Sequence, residues 1–168
     1  MDQESADIVE KEPMNTNVHF VQLSAKNVLE ICKMSETLPG EQRQAVADNA
    51  LSIAQGHCSS NAWMRAIYQD STPVGFIMLH LGSDWEDGID CPGVFLWRFM
   101  IARPYQGRGL GKAAIELLIS HLRALGIPKL YTSCHLESGS PRGFYDRLGF
   151  KPTGEYYGDE PELFLLIE

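Results

Sequence analysis

A chain of 168 residues in which 44% are hydrophobic and 21% charged has the composition of one globular domain, long enough to bury roughly 70% of its unfolded surface without metals or cross-links. Its longest apolar stretches, 74–81 and 94–97, fall far short of the roughly 20 residues a bilayer span requires, so no membrane helix and no membrane partner are expected. A net charge of −8 repels polyanions, which disfavours nucleic acid as a partner.

Residues 1–17 open the chain with Asp2, Glu4, Asp7, Glu10 and Glu12 against Lys11. Without an apolar block behind a basic start this is not read as a secretion signal. It predicts a flexible acidic extension ahead of one domain at 18–168. Cys32, Cys58, Cys91 and Cys134 are scattered, with no C-x-x-C pair and no His at zinc-ligand spacing. Reduced thiols, a cytoplasmic location and no metal are the expectation.

A first strand is predicted over 18–23, after which Ser24 stands where an N-cap opens a helix carrying Val28, Leu29, Ile31, Cys32 and Met34. From Glu41 a second helix is predicted on Val46, Ala50, Ile53 and Ala54, with Gly56 as its left-handed C-cap. Two β-rich runs, 63–68 and 74–81, flank Asp70-Ser71-Thr72-Pro73 and suit an antiparallel hairpin. An acidic segment at 82–93 follows, then a strand at 94–101 halted by Pro104. Leu110, Ala114, Leu117, Leu118, His121, Leu122 and Leu125 mark the clearest helix, closed by Gly126 and Pro128. A strand at 129–135, a short helix from Ser140-Pro141 to Arg147 ended by Gly149, and one or two closing strands complete the order. Strands interleaved with helices in this way imply an α/β mixed sheet of about six to seven strands flanked by about four helices.

Between the strand at 94–101 and the long helix lies Gln106-Gly107-Arg108-Gly109-Leu110-Gly111-Lys112. Free backbone N–H groups converge there at the positive end of the helix dipole, where phosphate binds well. The competing reading is a glycine-rich connection with no ligand. A Walker loop fails because Lys112 is followed by Ala113, and a dinucleotide fingerprint starting at Gly107 fails because position 112 is lysine.

The pattern Q-x-x-G-x-G at Gln106, Gly109 and Gly111, following Phe95 to Ile101, resembles the GCN5-related N-acetyltransferase (GNAT) superfamily. So does Gly143-Phe144-Tyr145-Asp146-Arg147-Leu148-Gly149-Phe150, which is similar to the family's late tyrosine motif. The resemblance covers roughly 18–167. Its segments 96–101 and 140–145 look most like bacterial spermine/spermidine (diamine) acetyltransferase-like members. It implies the acyl-CoA N-acyltransferase fold and acetyl-CoA as acetyl donor. Gln106, Gly107, Arg108, Gly109, Leu110, Gly111 and Lys112 would hold its pyrophosphate, and the backbone of Phe99, Met100 and Ile101 its pantetheine. One departure stands out: many relatives carry asparagine and alanine where this chain has Ser138 and Pro141. The hydroxyl of Ser138 or Ser140 can replace the asparagine contact, or can serve as a turn and a helix cap.

By the resemblance, an amine attacks the thioester directly in a ternary complex and Tyr145 is the general acid. The base is expected among Glu137, His135, His80 and the acidic loop, with Glu137 and His135 foremost, although ordinary hydrogen-bonded strand positions suit the histidines better than catalysis does. Asp84, Trp85, Glu86 and Asp87, with Asp90 nearby, form a loop suited to attracting a cationic acceptor, or simply a solvated charged turn. Arg98 is expected to pair with a carboxylate. The expected function is acetyl transfer to a small-molecule primary amine, a polyamine or similar cation. The alternatives are a protein or peptide N-acetyltransferase and a non-catalytic acyl-CoA-binding regulator, and a homodimer stays open.

Overall fold

The computed structural model describes residues 17–168. The acidic extension expected over 1–17 lies almost wholly outside them. Seven strands form one sheet in the order β1-β2-β3-β4-β5-β7-β6. They are β1 (Val18–Val21), β2 (Ala62–Gln69), β3 (Thr72–Leu81), β4 (Val94–Ile101), β5 (Lys129–Ser133), β6 (Lys151–Tyr157) and β7 (Glu160–Leu166). All neighbours pair antiparallel except β4 and β5, which run parallel. That one parallel pair needs a crossover, which α4 (Leu110–Ala124) supplies.

Helices cover both faces. Strand side chains alternate between faces, so β3 sends Ile77 and Leu79 to one layer and Phe76 and Met78 to the other, and all four are buried. A central strand of this kind is apolar throughout rather than alternating with polar residues. Leu110, Ala114, Ile115, Leu118 and Leu122 of α4 fill the first layer, at the three- to four-residue spacing of one helix face. α1 (Val28–Lys33) and α3 (Asn49–Cys58) bring Ile31 and Ile53 to the second, against Ala66, Phe76, Met78 and Met100. α5 (Arg142–Arg147) follows β5 and carries Tyr145 back onto the first layer. Gly126 and Gly149, in the left-handed region at φ +71° and +95°, close α4 and α5 as expected.

The helix predicted from Glu41 is two helices, α2 (Gly40–Ala45) and α3, separated by extended backbone at Val46 and Asp48. Tertiary bonds override the periodicity. The backbone N–H of buried Asn49 donates to Ser35 Oγ (2.8 Å) and its Nδ2 to the carbonyl of Ile31 (2.8 Å), which pins the chain to α1 and the turn that follows it. Gly56 is not a C-cap either, because α3 runs on to Cys58. It serves packing instead: a Cβ there would lie 2.3 Å from Met64 Sδ.

Gly75 makes the tightest approach in the sheet. A Cβ at this position would sit 2.3 Å from the backbone carbonyl oxygen of Met100 on β4, and a strand cannot yield as a side-chain tip can. Gly75→Ala is expected to destabilise the fold by about 1–3 kcal/mol, the usual range for overpacking, read as a lower urea midpoint at unchanged m-value. Gly40→Ala, where a Cβ meets nothing within 4 Å at the start of α2, should leave that midpoint unchanged or raise it.

Candidate active site

The β4–β5 ladder consists of two residue pairs, Val94 with Leu130 and Phe95 with Tyr131. Beyond them β4 leaves the regular register: Met78 faces Arg98 but Leu79 faces Leu96, so Trp97 is the extra residue of a bulge. Thr132 Oγ1 donates to the carbonyl of Leu96 (3.1 Å), satisfying a buried acceptor at the point where ladder bonding stops. The strands then diverge around a cleft of about 1360 Å³. That exceeds the roughly 300–1,000 Å³ of a pocket for a drug-sized ligand and suits something elongated.

One end of the cleft is the glycine loop. The Gln106 side chain crosses it, Nε2 donating to the carbonyl of Ile101 (2.9 Å) and to Gln42 Oε1 on α2 (2.8 Å). Gly107 and Gly109 lie in the left-handed region at φ +73° and +77°, with nothing within 4 Å of a Cβ at either. The loop is therefore an open cradle whose backbone any side chain would obstruct. Gly111 differs: a Cβ there would touch the Phe144 ring at 3.4 Å, so this glycine permits close packing. Behind the cradle stands the N-terminus of the 15-residue α4, whose first-turn N–H groups have no intrahelical acceptors. The cradle fits a diphosphate.

The middle of the cleft is walled by Phe99, Met100 and Ile101 on one side and by Thr132, Cys134, Phe144 and Tyr145 on the other. Phe99 and Phe144 stack at 5.8 Å and 17°. Tyr145 is 5% exposed, and burial pushes its phenol well above the ordinary value of 10, against a smaller opposing effect of the Thr132 hydroxyl. It stays a proton donor throughout the neutral range.

The far end is polar, lined by Asp48, Gln55, Asp87, Arg98, Ser133 and Glu160. Asp87 accepts hydrogen bonds from Ser59 Oγ (2.5 Å) and His80 Nε2 (2.8 Å), which hold its carboxyl below the usual range. His80 is wholly buried, so the acidic loop is anchored to β3 from beneath. Arg98 does not pair with a carboxylate as expected. Among the described residues none lies within salt-bridge distance of it. The bulge turns Arg98 toward α3, where it donates to Gln55 Oε1 (3.2 Å) and to the carbonyl of Trp97 (2.9 Å), leaving Nε buried without a partner.

Of the residues singled out in the sequence, Phe99, Met100, Ile101, Gln106, Gly107, Gly109, Leu110, Gly111, Lys112, Ser140, Tyr145 and Asp87 meet along this cleft. Arg108 lies off its wall, over the Tyr105 ring at 5.8 Å. Ser138, Asp84, Trp85 and Glu86 are also outside the lining, and Trp85 is 78% exposed. His135 and Glu137 lie in the loop after β5, off the cleft wall, where His135 Nδ1 accepts the backbone N–H of Glu137 (3.1 Å). Sequence reasoning missed Asp48, Gln55, Thr132 and Glu160. Among the described residues no three metal-ligating side chains gather, and no helix is long and apolar enough to cross a membrane.

Comparison with known proteins adds to this geometry. The chain is 34% identical over 90 residues to the spermine/spermidine N(1)-acetyltransferase of Bacillus subtilis (strain 168), covering 53% of this chain and 59% of that one. It thus spans about three-fifths of that relative's length. Among solved structures it resembles an acetyltransferase from Thermus thermophilus, at TM-score 0.70 and 16% identity over 89% of this chain and 97% of that one. It also resembles the PaiA N-acetyltransferase of Thermoplasma acidophilum in complex with coenzyme A, at TM-score 0.60 and 17% identity over 89% and 98%. At such identities these two likenesses speak for the fold. The model of the acetyltransferase (GNAT) family matches residues 28–150, most of the sheet and the whole glycine loop, and to that family this chain belongs.

Proposed function

We propose that this chain moves the acetyl group of acetyl-CoA onto a primary amine. The observation that carries the reading is continuity: one cleft runs from the open cradle at 107–111, between the parted strands, to the Tyr145 phenol and on to a polar far end. The acetyl donor supplies a thioester, an acyl carbon open to attack by a neutral amine. The amides of the cradle and of the first turn of α4 would hold its diphosphate, with Lys112 adding charge at their rim. β4 beyond Trp97, paired with β3 on one edge but not with β5 on the other, would present its free backbone edge to the pantetheine and the thioester carbonyl, where fixed N–H dipoles act most strongly. Tyr145 would hold a proton for the departing sulfur.

The acceptor is a small cationic amine of the polyamine kind. Asp87 and Glu160 at the far end offer anionic partners for ammonium groups, and the Bacillus relative is described as acting on spermine and spermidine. One observation favours a second reading. The buried, unpartnered Nε of Arg98 suits a carbonyl or carboxylate, as a peptide acceptor would bring.

Thiol release measured with spermidine, spermine, amino acids and short peptides separates these. Turnover of the polyamines supports the first reading, turnover of peptides alone the second, and acetyl-CoA binding without any turnover a regulatory module instead. Tyr145→Phe should lower kcat by about 10²-fold or more while calorimetric acetyl-CoA affinity stays unchanged. The same variant should lose one of the two tyrosines, Tyr145 and Tyr157, that burial raises above the ordinary value of 10, seen as a smaller late step in an ultraviolet alkaline titration. Gly109→Ala should weaken acetyl-CoA binding about tenfold or more by filling the cradle, at a folding cost of roughly 1–2 kcal/mol for its left-handed backbone.

A further inference from the structure

We propose that Glu160 is the catalytic base that takes the proton from the acceptor's ammonium group. The inference rests on the acetyl-transfer reading and adds to it the group that makes the amine nucleophilic. Glu160 opens β7 at the far end of the cleft. Ser133 Oγ, on neighbouring β5, donates to its Oε2 (2.7 Å), and among the described residues Oε1 has no hydrogen-bond partner. One carboxylate oxygen is fixed and the other is available to a ligand. Glu160 lines the same cleft as the Tyr145 side chain and the Arg98 guanidinium.

The other carboxylates of the cleft are spoken for. Asp87 already accepts two hydrogen bonds that hold its carboxyl below the usual range, so it binds a proton poorly. Asp48 is half exposed and lies 3.7 Å from Arg43. Sharing the cleft with Glu160 are Arg98 of β4, Cys134 after β5, Tyr145 of α5, Tyr157 of β6 and Asp87 of the acidic loop. Burial raises Cys134, Tyr145 and Tyr157, so the charged groups around it near neutrality are Arg98, Arg147, Asp48 and Asp87 of the cleft, Glu162 two residues along β7, and Arg142 and Asp146 of α5.

The Glu160 carboxylate accepts one proton from R–NH3+, and the freed lone pair forms the C–N bond to the acetyl carbon. The C–S bond breaks, and sulfur takes the Tyr145 proton. The nitrogen sheds a second proton on becoming an amide, which restores the phenol. One proton remains on Glu160 and leaves to solvent, matching the overall release of one proton per ammonium acetylated.

The test uses the full chain, Glu160→Gln and Glu160→Asp, with spermidine as the probe. E160Q should lose about 10²-fold in kcat/KM near neutral pH. It should recover roughly tenfold per pH unit toward the amine's own pKa, near the ~10.4 of a lysine side chain, where free amine no longer needs a base. E160D should retain part of the parent rate. Calorimetric titration of spermidine onto the CoA complex should weaken in E160Q, with CoA affinity unchanged. A parent that turns over while E160Q keeps its pH profile, or loses rate equally at every pH, overturns the base and leaves acetyl transfer standing. A parent that releases no thiol with any amine overturns both.

Discussion

The site depends on a ladder that stops early. Two strands that run parallel and adjacent would ordinarily zip along their length, since every unpaired backbone group inside a protein carries a penalty. Here β4 and β5 pair through two residues only. The bulge at Trp97 throws the next stretch of β4 out of register, and the Thr132 hydroxyl occupies the Leu96 carbonyl. The cleft between them exists because that interruption is stabilised at its apex, by a side chain, and on both flanks by packed helices.

The opening is electrostatically polarised. At one end are helix N–H groups and an uncrowded glycine backbone, at the other carboxylates, while the middle is aromatic and aliphatic. An anionic tail and a cationic head would be drawn to opposite ends and meet in the mainly apolar middle, beside a phenol that burial keeps protonated. The overall charge of −8 would work against a polyanion at any other surface, so the anion-binding character is local, carried by backbone geometry rather than by net charge.

Much of this was legible in the sequence, and the rest was hidden for identifiable reasons. The long helix, the hairpin at 62–81 and the loop at 106–112 announce themselves through local patterns: one apolar face, a turn cluster, and glycines placed between a strand and a helix. The break between α2 and α3 does not, because its cause is Asn49 bonding to Ile31 and Ser35, far away in sequence. Arg98 read as half of an ion pair because alternation along a strand is assumed, and a bulge suspends alternation. Glu160 sits among Asp159 and Glu162 in a run resembling any charged turn. Only the pairing of β7 with β5, established late in the chain, sets it beside Ser133 and the opening.

The short helix α2 spans the mouth of that opening. Gln42 bonds Gln106, just past the end of β4, while Glu41 backs directly onto Gly139, just past the end of β5, so closely that a Cβ there would fall within 2.7 Å of its backbone. α2 is thus a crossbar between two diverging rails, fixing their spacing where no ladder does. An elongated ligand lying between the rails would therefore run alongside Gln42 to Ala45, which line the same furrow, so the piece that holds the rails apart would also touch whatever lies between them.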